Sequence, residues 1–394
     1  MKTNREELIQ AAELSNQPGP PQTARGRRFP VSSCRLVKCR SSVPLALRTL
    51  MAPAPSAWRG GHGDAQGMRR HDAAKVYIQR GGFTPDGAVL PPASWQCRVL
   101  NWALRRWVKP NSLREQNVTA SRRLTDRVPF GAKLIPGWHV RPVTAPGPRG
   151  EWIEPIAPAD DACTRCILYV HGGGFISMSA RTHRAITSRL AGWGNTALFA
   201  LDYRLAPEHP FPAALEDTLA AYRALVAAGF APSRIVVAGD SAGGGLALSM
   251  LIALRDAGEC LPAAAVLFSP LTDLAATGDS IIANDRADVM FFGAWVGAVA
   301  RHYLGVASAA DTLASPVYAD LSGLPPLLIH VGGDEVLLDD SVRVDASARR
   351  SGVVSILEIW RGVPHGWQIF APFLPEARAS LRQAAAFIHQ QLSV

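Results

Sequence analysis

Ser241 stands in the run Gly239-Asp-Ser-Ala-Gly243, which follows the apolar stretch Arg-Ile-Val-Val-Ala and precedes a helix-like segment. A serine between small residues at a sharp strand-to-helix turn is held in a strained backbone conformation. Its Oγ projects at the sheet edge above a helix N-terminus, the placement of a nucleophile. A second glycine run, His171-Gly-Gly-Gly-Phe175, also follows a β-like stretch. Consecutive glycines let backbone amides turn toward an oxygen without side-chain obstruction, which is what stabilising a tetrahedral oxyanion requires. The N–H groups of Gly172, Gly173 and Ala242 are assigned to that task. The run has neither G-x-G-x-x-G nor a Lys-Ser/Thr ending, so a phosphate cradle is disfavoured.

A serine is a weak nucleophile until a base takes its proton. The chain order that goes with such a turn is serine, then acid, then histidine. Only His365 and His389 follow the last plausible acid. His365, in Val-Pro-His-Gly-Trp just after a β-rich run, is the expected base, whereas His389 lies in the terminal helical stretch and reads as a surface residue. For the acid, Gly332-Gly-Asp-Glu-Val-Leu-Leu-Asp-Asp340 offers several carboxylates. Asp334, the first residue after the strand and its two glycines, is the expected acid. Glu335 and Asp339 remain weaker candidates, and Asp339 and Asp340 resemble capping residues of the next helix.

Positioning these residues takes a scaffold that alternates strands and helices. Strands are expected at 166–171, 197–203, 234–238, 264–268, 327–331 and 355–360, with helices at 182–193, 213–228, 242–256, 341–350 and 376–391. Such alternation implies an α/β fold with a mostly parallel central sheet, helices on both faces, and chemistry at the carboxyl ends of the strands. Before the sheet, Trp95, Val99 and Trp102 share one helical face that Ala103 and Trp107 continue, with Pro110 as the stop. Packing over the core is the favoured reading, because tryptophans need somewhere dry to go. The rival is a basic amphipathic helix lying on a membrane.

The 394 residues allow one catalytic domain with additions, and 48% apolar against 19% charged residues fits a globular enzyme. The net charge of +9 is unevenly spread. Residues 1–92 hold 14 Lys and Arg against 6 Asp and Glu, and the rest 27 against 26, so the charge is no argument for nucleic-acid binding. Residues 1–92 read as a basic, disordered extension rich in Pro, Gly, Ser and Arg. Glu6, Glu7 and Glu13 oppose a transit sequence, the polar start opposes secretion, and no window approaches the roughly 20 apolar residues of a membrane span. The six scattered cysteines, with one CxxC pair at Cys163 and Cys166, fit a reducing, cytoplasmic setting without a zinc site.

Together His-Gly-Gly-Gly-Phe, the run from Asp202 to Asp217 (Asp-Tyr-Arg-Leu-Ala-Pro-Glu-His-Pro-Phe-Pro-Ala-Ala-Leu-Glu-Asp), Gly-Asp-Ser-Ala-Gly-Gly, Gly-Asp-Glu-Val-Leu-Leu-Asp-Asp and Pro-His-Gly-Trp resemble the bacterial hormone-sensitive-lipase-like family of α/β-hydrolases. The resemblance covers roughly residues 93–394. It implies the α/β-hydrolase fold, with cap helices at 93–136, a catalytic domain at 137–394 and a cap insertion at about 275–310. It further implies a serine carboxylesterase whose triad is Ser241, Asp334 and His365, whose oxyanion amides are those of Gly172, Gly173 and Ala242, and which uses no metal or organic cofactor. The implied partner is a small-molecule ester. Nucleic acid and stable membrane insertion are not implied, and a homodimer is left open. Lactone, amide or carbamate hydrolysis is the rival chemistry. A ligand receptor of this fold is the rival class, disfavoured by the presence of His365. The tryptophans of 94–110 and Met290, Phe291, Phe292 and Trp295 are expected to roof a short acyl pocket. A chain starting near Ala93 is expected to fold and keep its activity, because residues 14–92 offer little apolar surface for a core. Circular dichroism and turnover of the shortened chain check this, and loss of folding would contradict it.

Overall fold

The computed structural model describes residues 92–112, 118–127, 134–144, 147–157 and 164–393. The expectations for residues 1–91 and for Cys34, Cys39 and Cys163 fall outside them. Eight strands form one sheet in the order β1-β2-β4-β3-β5-β6-β7-β8. They are β1 Trp138–Val143, β2 Gly150–Pro155, β3 Cys166–Val170, β4 Ala197–Leu201, β5 Ile235–Asp240, β6 Ala264–Phe268, β7 Leu327–Gly332 and β8 Ser355–Trp360. The six from β3 to β8 run parallel, as the alternation of strands and helices implies. The sequence reading missed β1 and β2, an antiparallel hairpin that joins the sheet through β2 and β4. Its outer strand β1 contains Pro142 and is only partly buried, so it lacks the apolar run that marks an interior strand. A bidentate Arg141–Glu154 pair, at 2.9 and 2.7 Å, crosses the hairpin instead.

The helices are α1 Trp95–Ala103, α2 Val118–Arg127, α3 Arg184–Gly194, α4 Ala213–Ala227, α5 Ala242–Asp256, α6 Ser280–Ala283, α7 Ala294–Leu304, α8 Leu338–Arg350 and α9 Pro375–Leu392. The period-2 alternation of each strand divides the core. Cys166, Leu168 and Val170 of β3 join one apolar cluster with α4, α5, α7 and α8. Ile167 and Tyr169 join the other, with α3, α9 and the inner side of α1. Burial on both faces explains why these strands read as continuous apolar runs.

Ser94 caps α1, accepting from Cys97 N at 3.2 Å, while its own amide and hydroxyl donate to Glu376 of α9 at 2.5 and 3.1 Å. Cys97 and Leu104 turn inward, and Asn101 Nδ2 donates to Gly362 O at 2.7 Å. The expected orientation of this helix is overturned. Trp95, Val99, Trp102 and Trp107 point outward, at 66, 57, 62 and 56% exposure. The side chains spaced seven apart that find the core are Cys97 and Leu104, a narrower stripe than the aromatic one. Pro110 does not stop the helix either. A π-helical turn, Leu104–Val108, leads into a last helical turn, Lys109–Ser112, and this widening tolerates a residue without an amide hydrogen.

The far end of α1 holds the loop that runs from α6 to α7. Arg105 donates to the carbonyls of Arg286 and Ala287 at 2.8 and 2.9 Å. Lys109 Nζ, buried, donates to those of Asp285 and Asp288, the latter at 2.7 Å. Asp288 in turn accepts from the amides of Met290, Phe291 and Val336, fixing that loop against the segment after β7.

Candidate active site

Ser241 connects β5 to α5 with φ 51° and ψ −123°, a region costly for a residue with a Cβ, so the surrounding contacts must impose it. They do so through three backbone bonds: Ser241 N to Phe268 O at 2.8 Å, and Gly245 N and Leu271 N to Ser241 O at 3.1 and 2.9 Å. The two glycines of the motif are dictated by close approach. A Cβ at Gly239 would strike the Gly243 carbonyl, and one at Gly243 would strike that of Val170, in both cases backbone that cannot yield.

His365 emerges from the turn after β8, buried, with its ring edge-on to Phe291 at a centroid distance of 5.2 Å. Its Nδ1 lies 2.6 Å from Oε2 of Glu335. The other oxygen of Glu335 accepts from Gly332 N at 2.5 Å and from Ser269 Oγ at 2.7 Å. This corrects the expectation for Asp334. The chain turns sharply after β7, so neighbouring side chains point opposite ways, and Asp334 is exposed with Arg105 and Arg361 as its charged neighbours. Among the described residues it makes no hydrogen bond. Asp339 and Asp340 are not caps but lie in the first turn of α8, where Asp339 accepts from Ser280 N and Asp340 from the amides of Thr272 and Asp273. His389 is exposed on α9.

Burial alone would push the His365 imidazole below its ordinary value. The Glu335 carboxylate and its hydrogen bond outweigh that, with smaller help from Asp288 and Asp240, and the net shift is upward. The ring is therefore easier to protonate than a free histidine, with the resulting charge already provided for.

The glycine run after β3 is tied to the serine turn by Asp240. Its Oδ1 accepts from Tyr169 Oη at 2.6 Å and from Gly172 N at 3.0 Å, and its Oδ2 lies 3.2 Å from His183 Nε2. Burial opposes the charge on Asp240, but His183 and Tyr169 more than compensate and hold the carboxyl below its usual range. The Gly172 amide is thus already committed, which corrects its assignment as an oxyanion donor. Gly173 (φ 113°) and Gly174 (φ 61°) then wind into a tight turn, with Gly173 O accepting from Ile176 N and Ser177 N. Among the described residues the amides of Gly173, Gly174 and Ala242 have no acceptor. Sequence reasoning missed Gly174 because three adjacent glycines are indistinguishable until Asp240 selects one of them. His171 is structural: burial and the neighbouring His183 push it down to about 3, and its neutral ring stacks on Tyr203 at 4.2 Å. Tyr203 belongs to the 202–217 segment, which reads as a loop bracing the site. Its Oη donates to His171 O, and Ala206 N donates to Phe175 O.

A cavity of about 640 Å³ lined by Arg122, Arg149, Asp202 and Arg204 contains neither Ser241 nor His365, and the Arg122–Glu208 ion pair forms part of its wall. Among the described residues no group of three His, Cys, Asp or Glu is placed to hold a metal ion. A histidine oriented by a buried carboxylate and a serine in a strained turn are the groups that serine-nucleophile chemistry requires.

Residues 167–369 match the family model described as alpha/beta hydrolase fold. An acetyl-hydrolase of Streptomyces hygroscopicus is 44% identical over 259 residues, covering 66% of this chain and 85% of that protein. Among solved structures, an esterase from the bacterial hormone-sensitive lipase family superposes with a TM-score of 0.70 at 40% identity, covering 77% of this chain and all of that one. A crystal of EstE5 soaked by p-nitrophenyl butyrate does so with 0.71 at 41%, with the same coverage.

The electrostatics of the site set a titration. The His365 imidazole is expected to titrate above its ordinary value, and Glu335→Gln to lower its pKa because the raising carboxylate is gone, while Asp334→Asn leaves it in place. Histidine NMR titrations of the three proteins check this, and a shift caused by the Asp334 variant alone would contradict the pairing.

Proposed function

We propose that this chain, which belongs to the α/β-hydrolase fold family and within it to the bacterial hormone-sensitive-lipase-like esterases, hydrolyses carboxylic esters through an acyl-enzyme on Ser241. Ser241 Oγ attacks the ester carbonyl as His365 accepts its proton at Nε2, and Glu335 steadies the imidazolium from the Nδ1 side. The amides of Gly173, Gly174 and Ala242 receive the oxyanion. His365 then protonates the departing alcohol and activates the water that releases the acid. The single observation that carries this reading is the buried Glu335–His365 hydrogen bond, in a chain whose Ser241 is held in a strained strand-to-helix turn. A cytoplasmic setting fits the free thiols of Cys97, Cys166 and Cys260.

Crowding at the glycine turn supports short acyl groups. A Cβ at Gly174 would lie 2.9 Å from Val299 Cγ1 and 3.3 Å from the Trp295 ring, and Phe291 stacks on Trp295 at 4.2 Å. The wall beside His365 and the oxyanion amides is therefore drawn from Phe291, Trp295 and Val299 rather than from the tryptophans of α1. The name of the acetyl-hydrolase relative and the butyrate soak of EstE5 agree with a small acyl group.

Each buried methylene adds about 0.8 kcal/mol, or roughly fourfold in kcat/KM, only while it finds dry contacts. Among p-nitrophenyl esters of graded length, kcat/KM is expected to rise from acetyl to about butyryl or hexanoyl and then fall steeply, with Ser241→Ala inactive throughout. Preference for emulsified long-chain triglycerides would refute the pocket, and turnover by Ser241→Ala would refute the nucleophile.

A further inference from the structure

α1 presents a surface that the proposed ester chemistry does not use. Trp95, Val99 and Trp102 are spaced by four and three residues, so they form one line along the helix, and Trp107 meets Trp102 edge-to-face at 5.1 Å. All four are exposed, where the ordinary fate of an indole is burial. Residues 95–112 contain no acidic side chain but carry Arg98, Arg105, Arg106 and Lys109. Arg105 and Lys109 are spent on the carbonyls of residues 285–288. Arg98 and Arg106 are exposed and make no hydrogen bond or ion pair among the described residues. The carboxylates near this segment among the described residues are already engaged: Glu376 accepts from Ser94, Asp285 and Asp288 lie beside Lys109, and Asp334 has Arg105 and Arg361 as charged neighbours.

We propose that the outward face of α1 is a docking surface for an anionic phospholipid bilayer, on which the protein adsorbs without spanning it. The chemistry is that of interfacial helices: indole rings settle at the headgroup level while guanidinium groups meet lipid phosphates. Charge selects this occupant over two others. The chain's own first 92 residues, with 14 basic against 6 acidic residues, would bring like charge to Arg98 and Arg106. A second copy related by a two-fold axis would oppose the same arginines to themselves. Among the described residues no helix is long and apolar enough to cross a membrane, so the contact is peripheral. The platform is rigid, because Ser94, Asn101 and Lys109 fasten α1 to α9, to Gly362 and to the 285–288 loop. Adsorption therefore carries little cost of ordering the helix.

Co-sedimentation of the full chain with phosphatidylcholine vesicles, with and without phosphatidylglycerol, tests this. Binding is expected to require phosphatidylglycerol, to fall with salt, and to shift tryptophan emission to the blue. Both the Trp95→Ala/Trp102→Ala/Trp107→Ala variant and the Arg98→Glu/Arg106→Glu variant are expected to weaken partitioning by at least about tenfold. Turnover of p-nitrophenyl acetate confirms that each variant is folded, and the charge variant keeps the test valid should the triple variant fail to fold. Vesicle binding unchanged in both variants would overturn the proposal and assign any lipid affinity to the basic N-terminal residues. A dimer dissociated by the triple variant, with no vesicle binding by the native chain, would overturn it in favour of a second copy.

Discussion

The hydrogen bond between Glu335 and His365 is the contact on which the geometry of this site depends. It joins the turns after β7 and β8, two adjacent parallel strands, so the sheet itself sets the separation of the loops that carry the pair. Glu335 could not serve as a loose carboxylate. Gly332 N and Ser269 Oγ occupy its second oxygen, the latter from the turn after β6, so one side chain binds three successive strand ends. A buried anion with two donors and an imidazole partner is satisfied, and removing any of them would leave an uncompensated charge in the interior.

A second buried carboxylate does for the other half of the site what Glu335 does for the first. Asp240 spans the ends of β5 and β3, holding Gly172 N, Tyr169 Oη and His183 at once. It fixes the glycine run against the serine turn through the Gly172 amide. The residue between Gly239 and Ser241 thus ties the serine turn to the glycine run. Donors fixed in advance act without reorganisation at the moment of reaction.

Much of this was legible in the sequence, and the failures have physical causes. The six parallel strands, Ser241 and His365 stand out because interior strands are apolar on both faces and because the turns that carry the two side chains need glycines at fixed positions. Of the β1–β2 hairpin, β1 was hidden by its partial exposure and β2 by the polar Glu151 and Glu154 that interrupt its apolar pattern. Asp334 and Glu335 are adjacent in the chain, and only the backbone direction after Gly332 decides which of them faces His365. The three glycines after His171 differ only in what their amides meet. The orientation of α1 was misread because the expectation of dry tryptophans outweighed the composition of residues 95–112, which carry four basic side chains and no acidic one.

The central claim is that a buried glutamate, not the neighbouring aspartate, orients the base. Turnover of a short p-nitrophenyl ester by Glu335→Gln and Asp334→Asn tests it most directly. The geometry predicts that Glu335→Gln lowers kcat by about 10²- to 10⁴-fold, because the amide cannot stabilise the imidazolium, while Asp334→Asn stays within about threefold of the native chain. Near-native turnover by Glu335→Gln together with a collapse of activity in Asp334→Asn would contradict it.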